Sequence, residues 1–190
     1  MKYLKLLITL CLLMSFAQAQ TNYSAATLTT FSLSETTKKT GKILPTTPFE
    51  ILSQDGDKLT VKITGWYLNG QAQLLYFSEG KKINAAVFAK DAGNKVEKLE
   101  SKTIDGATWE KVNITTMIIE GEFENSVDVL NQKASDLFKD NCSVCHPAPD
   151  IDHFNPSQWP SVAEEMGSRT SLSKEEITLL TQFLQKTTNK

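Results

Sequence analysis

Histidine, cysteine and long apolar runs are all scarce in this chain, and each shortage excludes something. The 190 residues include two histidines, His146 and His153, so no site that needs many imidazoles can be built. Of the three cysteines, Cys11 lies inside the apolar stretch LLITLCLLMSFA near the start. If that stretch is removed on export, only Cys142 and Cys145 remain. They belong to one short motif, which leaves no structural disulfide elsewhere. The same stretch is the longest apolar run and is too short for the roughly 20 residues that span a bilayer, so no membrane anchor is expected. Cys11 follows Leu10 rather than a small residue, which disfavours a lipid anchor. No sign of charge dominates either: 20 basic and 22 acidic residues give a net charge of −2. That balance argues against nucleic-acid binding and against a polybasic membrane surface.

The rest divides into four parts. Residues 1–19 read as a secretory signal peptide: Lys2 and Lys5 are its basic start, and Ala17-Gln18-Ala19 is a small-x-small cleavage site near Ala19. Residues 20–40, rich in Thr and Ser with few apolar anchors, read as a flexible leader. Residues 41–125 alternate like strands. Leu59, Val61 and Ile63 alternate with polar residues, as do Ile83, Ala85 and Val87. Gln54–Asp57 is a turn, and Asn69-Gly70 predicts a tight hairpin because both central positions need positive φ. Five to seven short strands, in an SH3-like small barrel or sandwich, are expected; Trp66, Tyr67, Tyr76, Phe77 and Trp109 read as core and barrel ends in preference to a peptide or partner groove.

From 126 to 190 the period becomes helical. Val127, Leu130, Ala134, Leu137 and Phe138 make one apolar stripe. A second helix starts near Asn155-Pro156 or Ser157, carries Trp159, Val162, Ala163 and Met166, and stops at Gly167. Ser173 and Glu176 form a capping box for a third, with Ile177, Leu180, Phe183 and Leu184 on its buried side. The fold class is therefore α+β in two small domains, a β-rich one followed by a minimal three-helix unit.

Between the first two helices stands Cys142-Ser-Val-Cys145-His146. C-x-x-C-H is the attachment motif of c-type haem, with two thiols spaced for two vinyl groups and a histidine delivered to the iron. A thioredoxin-like motif would follow a strand within a βαβ pattern, and none is present. Zinc would need four ligands, and beyond the motif only His153 is left. One covalent haem c is expected, on Cys142 and Cys145, with His146 proximal and Pro147 and Trp159 against the macrocycle. Those helices have little core of their own, and a covalently held apolar macrocycle would supply buried area. The sixth ligand is open between Met166 and His153. His153 lies seven residues on, a reach of about 23–25 Å fully extended, along a path stiffened by Pro-Ala-Pro. Met166, on a helix, is favoured; an open site is the third option. His/Met ligation raises the potential relative to bis-His.

The stretch CSVCHPAPDIDHFNPSQWPSVAEEM, followed by LSKEEITLLTQFLQ, resembles the C-terminal monohaem domain of the pentahaem cytochrome of trimethylamine N-oxide respiration. GKILPTTPFEILSQDGDKLTVKITGWYLNG and LLYFSEGKKINAAVF resemble the β segment before that haem. The resemblance implies a periplasmic electron carrier, not an enzyme. Its acceptor would be a periplasmic molybdenum reductase of N-oxides or S-oxides. The family's full-length members begin with a membrane-anchored four-haem module, so quinol oxidation would fall to a separate membrane cytochrome. Two other classes stay open: a haem-based sensor or small-ligand binder with a labile sixth site, and a cytochrome subunit held permanently on a periplasmic oxidoreductase.

Overall fold

The computed structural model describes residues 20–35, 37–69 and 71–189. The expected signal peptide and Gly70 of the expected hairpin lie outside them. Ten strands precede three helices: β1 (Thr21–Ser24), β2 (Leu28–Phe31), β3 (Lys39–Ile43), β4 (Pro48–Asp55), β5 (Lys58–Leu68), β6 (Leu74–Ser78), β7 (Lys81–Phe88), β8 (Lys95–Ile104), β9 (Ala107–Ile119) and β10 (Phe123–Glu124). The helices are α1 (Val127–Cys142), α2 (Trp159–Gly167) and α3 (Lys174–Thr187), with a 3-10 turn at Ile151–His153. Among the described residues no helix is long and apolar enough to cross a membrane.

The strands close a barrel. β5, β6, β7, β3, β2 and β9 pair in that order, and β9 returns to β5 over Lys58↔Ile119 to Leu68↔Trp109. β4, β1 and β10 extend the sheet beyond β5, while β8 hangs from β9. Leu59, Val61 and Ile63 point inward as their alternation requires, meeting Val112, Ile114 and Ile118 of β9. In β7 the alternation breaks. The register with β6 shifts between Leu75 and Tyr76, so Ala86 and Phe88, not Val87, join the barrel core. A bulge of this kind moves a side chain to the other face.

Two expectations are corrected. The stretch 20–40 is not a mobile leader, since it supplies β1, β2 and the start of β3. Its buried Thr30 and Thr40 are satisfied by each other, hydroxyl to hydroxyl at 3.1 Å, rather than by apolar packing. The strands are more numerous and longer than expected, β9 running 13 residues. A tight two-residue hairpin joins β8 and β9 at Asp105-Gly106, both at positive φ (50° and 76°). The turn expected at Asn69-Gly70 falls on Gly70, outside the described residues; β5 and β6, on either side of it, pair antiparallel at Trp66↔Tyr76.

Of the aromatics, Tyr67 is in the barrel core, and Trp66, Tyr76 and Trp109 form a second cluster. Phe77 is exposed instead.

The helices begin where local chemistry says they should. Ser126 caps α1 by accepting from Asp128 N, and Ser173 and Glu176 close both halves of the capping box on α3. Leu130, Ala134, Trp159, Leu179, Leu180 and Leu184 make the helical core, with Tyr23 of β1 and Ala25 just after that strand packed against it. α2 starts later than expected, at Trp159, after an Asn155 side chain that accepts from Ser157 N and Ser157 Oγ. It ends at Gly167, as expected. A Cβ at that last helical residue would lie 2.7 Å from Ile177 Cδ1, so glycine is needed for the approach of α3.

Candidate functional site

α1, the loop after it, the 3-10 turn, α2 and α3 surround one cavity of about 340 Å³. All seven residues singled out from the sequence line it: Cys142, Cys145, His146, Pro147, His153, Trp159 and Met166. Each arrives by a different local device. Cys142 is the last residue of α1, and the chain then leaves helical geometry through Ser143. Cys145, His146 and Pro147 follow in an exposed loop. His153 ends the 3-10 turn, whose start is capped by the Asp150 carboxylate accepting from Asp152 N at 2.8 Å. Trp159, Val162, Ala163 and Met166 recur at helical spacing and bring one face of α2 to the cavity.

Trp159 anchors the wall. It is 1% exposed, and its ring meets Phe138 and Phe154 edge-on at centroid distances of 6.3 and 5.0 Å. Its indole N–H donates to Ile151 O at 3.3 Å, which ties α2 to the 3-10 turn and satisfies the indole donor. Leu180 and Leu184 of α3 complete an apolar lining.

The donor set is chemically specific. Cys142 and Cys145 are both free thiols, the first half-buried and the second exposed. Burial pushes the Cys142 thiol above its ordinary range. His146 Nδ1 lies 2.9 Å from Pro147 O. A carbonyl can only accept, so Nδ1 carries the proton and the Nε2 lone pair is left for a metal. Met166 adds a half-buried thioether. His153 reaches the same cavity, its ring packed edge-on against Phe154 at 4.7 Å. Two thiols, an imidazole with a lone pair to give, a thioether and apolar walls suit a covalently attached haem. Among the described residues no group of three or more His, Cys, Asp and Glu side chains is placed to hold a metal ion by itself.

Sequence reasoning missed several lining residues. Phe138 was assigned to the core, and Phe154, Pro149 and Thr170 were not singled out. Arg169 is the most telling, because it is the only arginine in the chain and it lies at this cavity. That uniqueness was a readable signal. It is exposed and holds Glu165 through Nη2···Oε1 at 2.8 Å.

With this geometry in hand, the relatives can be placed. The cytochrome c-type protein TorC of Escherichia coli (strain K12) is 32% identical over 148 residues, covering 76% of this chain and 38% of that protein. The cytochrome c-type protein TorY of Haemophilus influenzae is 31% identical over 134 residues, covering 70% of this chain and 36% of that protein. The chain therefore spans well under half the length of the curated relatives it matches. No solved structure matches it. The sequence model of the TorC third cytochrome c domain matches residues 16–123, which includes β1 to β9, and the C-x-x-C-H lies beyond that span. On that match the chain belongs to the TorC third cytochrome c domain family, a family of c-type cytochromes.

Proposed function

We infer that this chain is a periplasmic monohaem cytochrome c that relays single electrons to a partner reductase. The observation that carries the reading is the single cavity holding Cys142, Cys145, His146 and Met166 together. In this reading Cys142 and Cys145 would hold the haem by thioether bonds, and His146 and Met166 would be the residues that ligate its iron. Haem c supplies a one-electron couple when bound, so the chain needs no acid, base or nucleophile.

The residues do the rest. The Pro147 carbonyl holds the His146 ring in the tautomer that frees Nε2. α2 presents Met166 on the same helical face as Trp159, whose indole N–H donates to Ile151 O. Leu180, Leu184, Val162 and Ala163 give the cavity an apolar wall, which with a thioether ligand favours the reduced state. Arg169 supplies a guanidinium at the rim for a carboxylate of the cofactor.

The partner is the finer part of the proposal. The TorC and TorY relatives, with the resemblance to the cytochrome of trimethylamine N-oxide respiration, support a periplasmic molybdenum reductase of N-oxides or S-oxides as acceptor. A separate quinol-oxidising membrane cytochrome would be the donor. The test is stopped-flow mixing of the reduced full chain with such a reductase and its N-oxide substrate. Oxidation of the cytochrome that requires both enzyme and substrate is expected. Reoxidation at the same rate without the enzyme would sink the carrier reading, and rapid carbon monoxide binding to the reduced protein would favour a sensor.

A further inference from the structure

Met166 and His153 both line the haem-type cavity, so two donors compete for one place. His153 is the exposed member of the pair and Met166 the half-buried one. Imidazole suits iron well, and a mobile histidine would displace a thioether. The 3-10 turn that ends in His153 is instead held in place.

The chain that follows α3 fastens it. Thr188 leaves the helix with an extended ψ of 137°, while its N–H still donates to Leu184 O at 3.1 Å. Thr188 is buried, and its hydroxyl proton is shared between Asp152 Oδ1 at 3.2 Å and Phe154 O at 3.1 Å. Asn189 gives its backbone N–H to the same Asp152 Oδ1 at 2.8 Å and its side-chain amide to Asp152 Oδ2 at 3.2 Å. These bonds fall on the residues immediately before and after His153. About one turn earlier on α3, Gln185 Nε2 donates to Pro156 O at 2.8 Å. From the other side, Ile151 O accepts the Trp159 indole N–H, and the Asp150 carboxylate accepts from Asp152 N. The His153 ring itself packs edge-on against Phe154. Hydrogen bonds that end on a carboxylate are about twice as strong as neutral ones, which makes Asp152 the centre of this clamp.

We propose that Asp152 is a positioning residue: with Thr188 and Asn189 it clamps the 3-10 turn and so keeps His153 from replacing Met166 as a ligand. The proposal rests on the His146 and Met166 reading given above. Asp152 acts through His153, not through contact with the cofactor. The end of α3, the helix that also lines the cavity with Leu180 and Leu184, thereby fixes the ligand set.

The test compares the haem-loaded full chain with Asp152→Ala, Asp152→Asn, Asn189→Asp and the double variant Asp152→Ala, His153→Ala. The readouts are the sulfur-to-iron charge-transfer band of the oxidised protein, the reduction potential, and amide exchange at His153, whose N–H donates to Asp150 O at 2.9 Å. Asp152→Ala is expected to speed that exchange, lose the band and lower the potential, as bis-His ligation requires. Asp152→Asn keeps an acceptor for Asn189 N and should keep the band. Adding His153→Ala to Asp152→Ala should restore the band, which a merely structural role for Asp152 would not do. Should Asp152→Ala not fold, Asn189→Asp is an exposed change that sets a second carboxylate against Asp152, and it should have the same effect. An Asp152→Ala or Asn189→Asp protein with the parent's band and potential, or a loss that His153→Ala does not reverse, would overturn the proposal. A parent chain without the band would overturn the Met166 reading and this proposal with it.

Discussion

Lys186 makes the stability of this fold depend on pH in an unusual direction. It lies in the last turn of α3, where its Nζ donates to Thr46 Oγ1 at 2.7 Å and sits 4.6 Å from the centre of the Phe77 ring. These contacts pin the C-terminal helix to the barrel through a hydroxyl and a ring, without a carboxylate. Burial pushes its pKa down to about 7 from 10.5. Between those values the unfolded chain holds a proton that the folded chain has released, so stability rises with pH. At about 1.4 kcal/mol per unit, with the folded group half-titrated at the lower end, the gain from pH 7 to pH 9 is about 2 kcal/mol. Higher pH is avoided because burial raises Tyr67 to about 12. Above pH 10 the unfolded phenol loses its proton first, and stability falls again. The assay is urea unfolding by circular dichroism at pH 7 and pH 9, for the parent chain and Lys186→Met. The parent should gain about 2 kcal/mol and Lys186→Met should change little over that range, with stability at pH 7 no lower than the parent's. The same pH slope in both proteins would refute the reasoning.

Three further outcomes follow from the same structure. Met166→Ala should lower the reduction potential or give a high-spin iron spectrum, and an unchanged potential and spectrum would remove Met166 from the iron. In contrast, His153→Ala should leave both nearly unchanged; a loss of the low-spin spectrum in that variant would make His153 the ligand. Gly41→Ala would place a Cβ 2.1 Å from Val87 O and 2.9 Å from Phe88 Cα on the neighbouring strand. Because both are backbone atoms, it should destabilise the barrel by about 3 kcal/mol or more in thermal unfolding.

The site was readable because its donors are close in sequence. Cys142, Cys145, His146, His153, Trp159 and Met166 fall within one short stretch, and the helical period of α2 says which of them share a face. Ser126, Ser173 and Glu176 marked helix starts for the same reason, since capping is a contact over two or three residues. What escaped depends on contacts distant in sequence. β2 and β3 bury Thr30 and Thr40 by cross-strand hydroxyl pairing, so a polar stretch that looks like a linker is part of a barrel wall. β8 hides for the opposite reason: its residues are almost all exposed, and nothing in their pattern marks a buried face. The function of Gly167 appears only once Ile177 is packed against it. Arg169 contributes through its position at the cavity, and only its singularity hinted at that.

The central claim is that Cys142 and Cys145 carry haem covalently in this cavity, and intact-protein mass spectrometry tests it most directly. The chain is expressed with a signal peptide and a cytochrome c maturation system, then extracted with acidified acetone to strip any haem that is not covalently bound. The account predicts a mass increased by one haem in the parent chain, with no addition in the Cys142→Ser, Cys145→Ser double variant. A parent chain at its unmodified mass, or haem that leaves with the solvent, would contradict it.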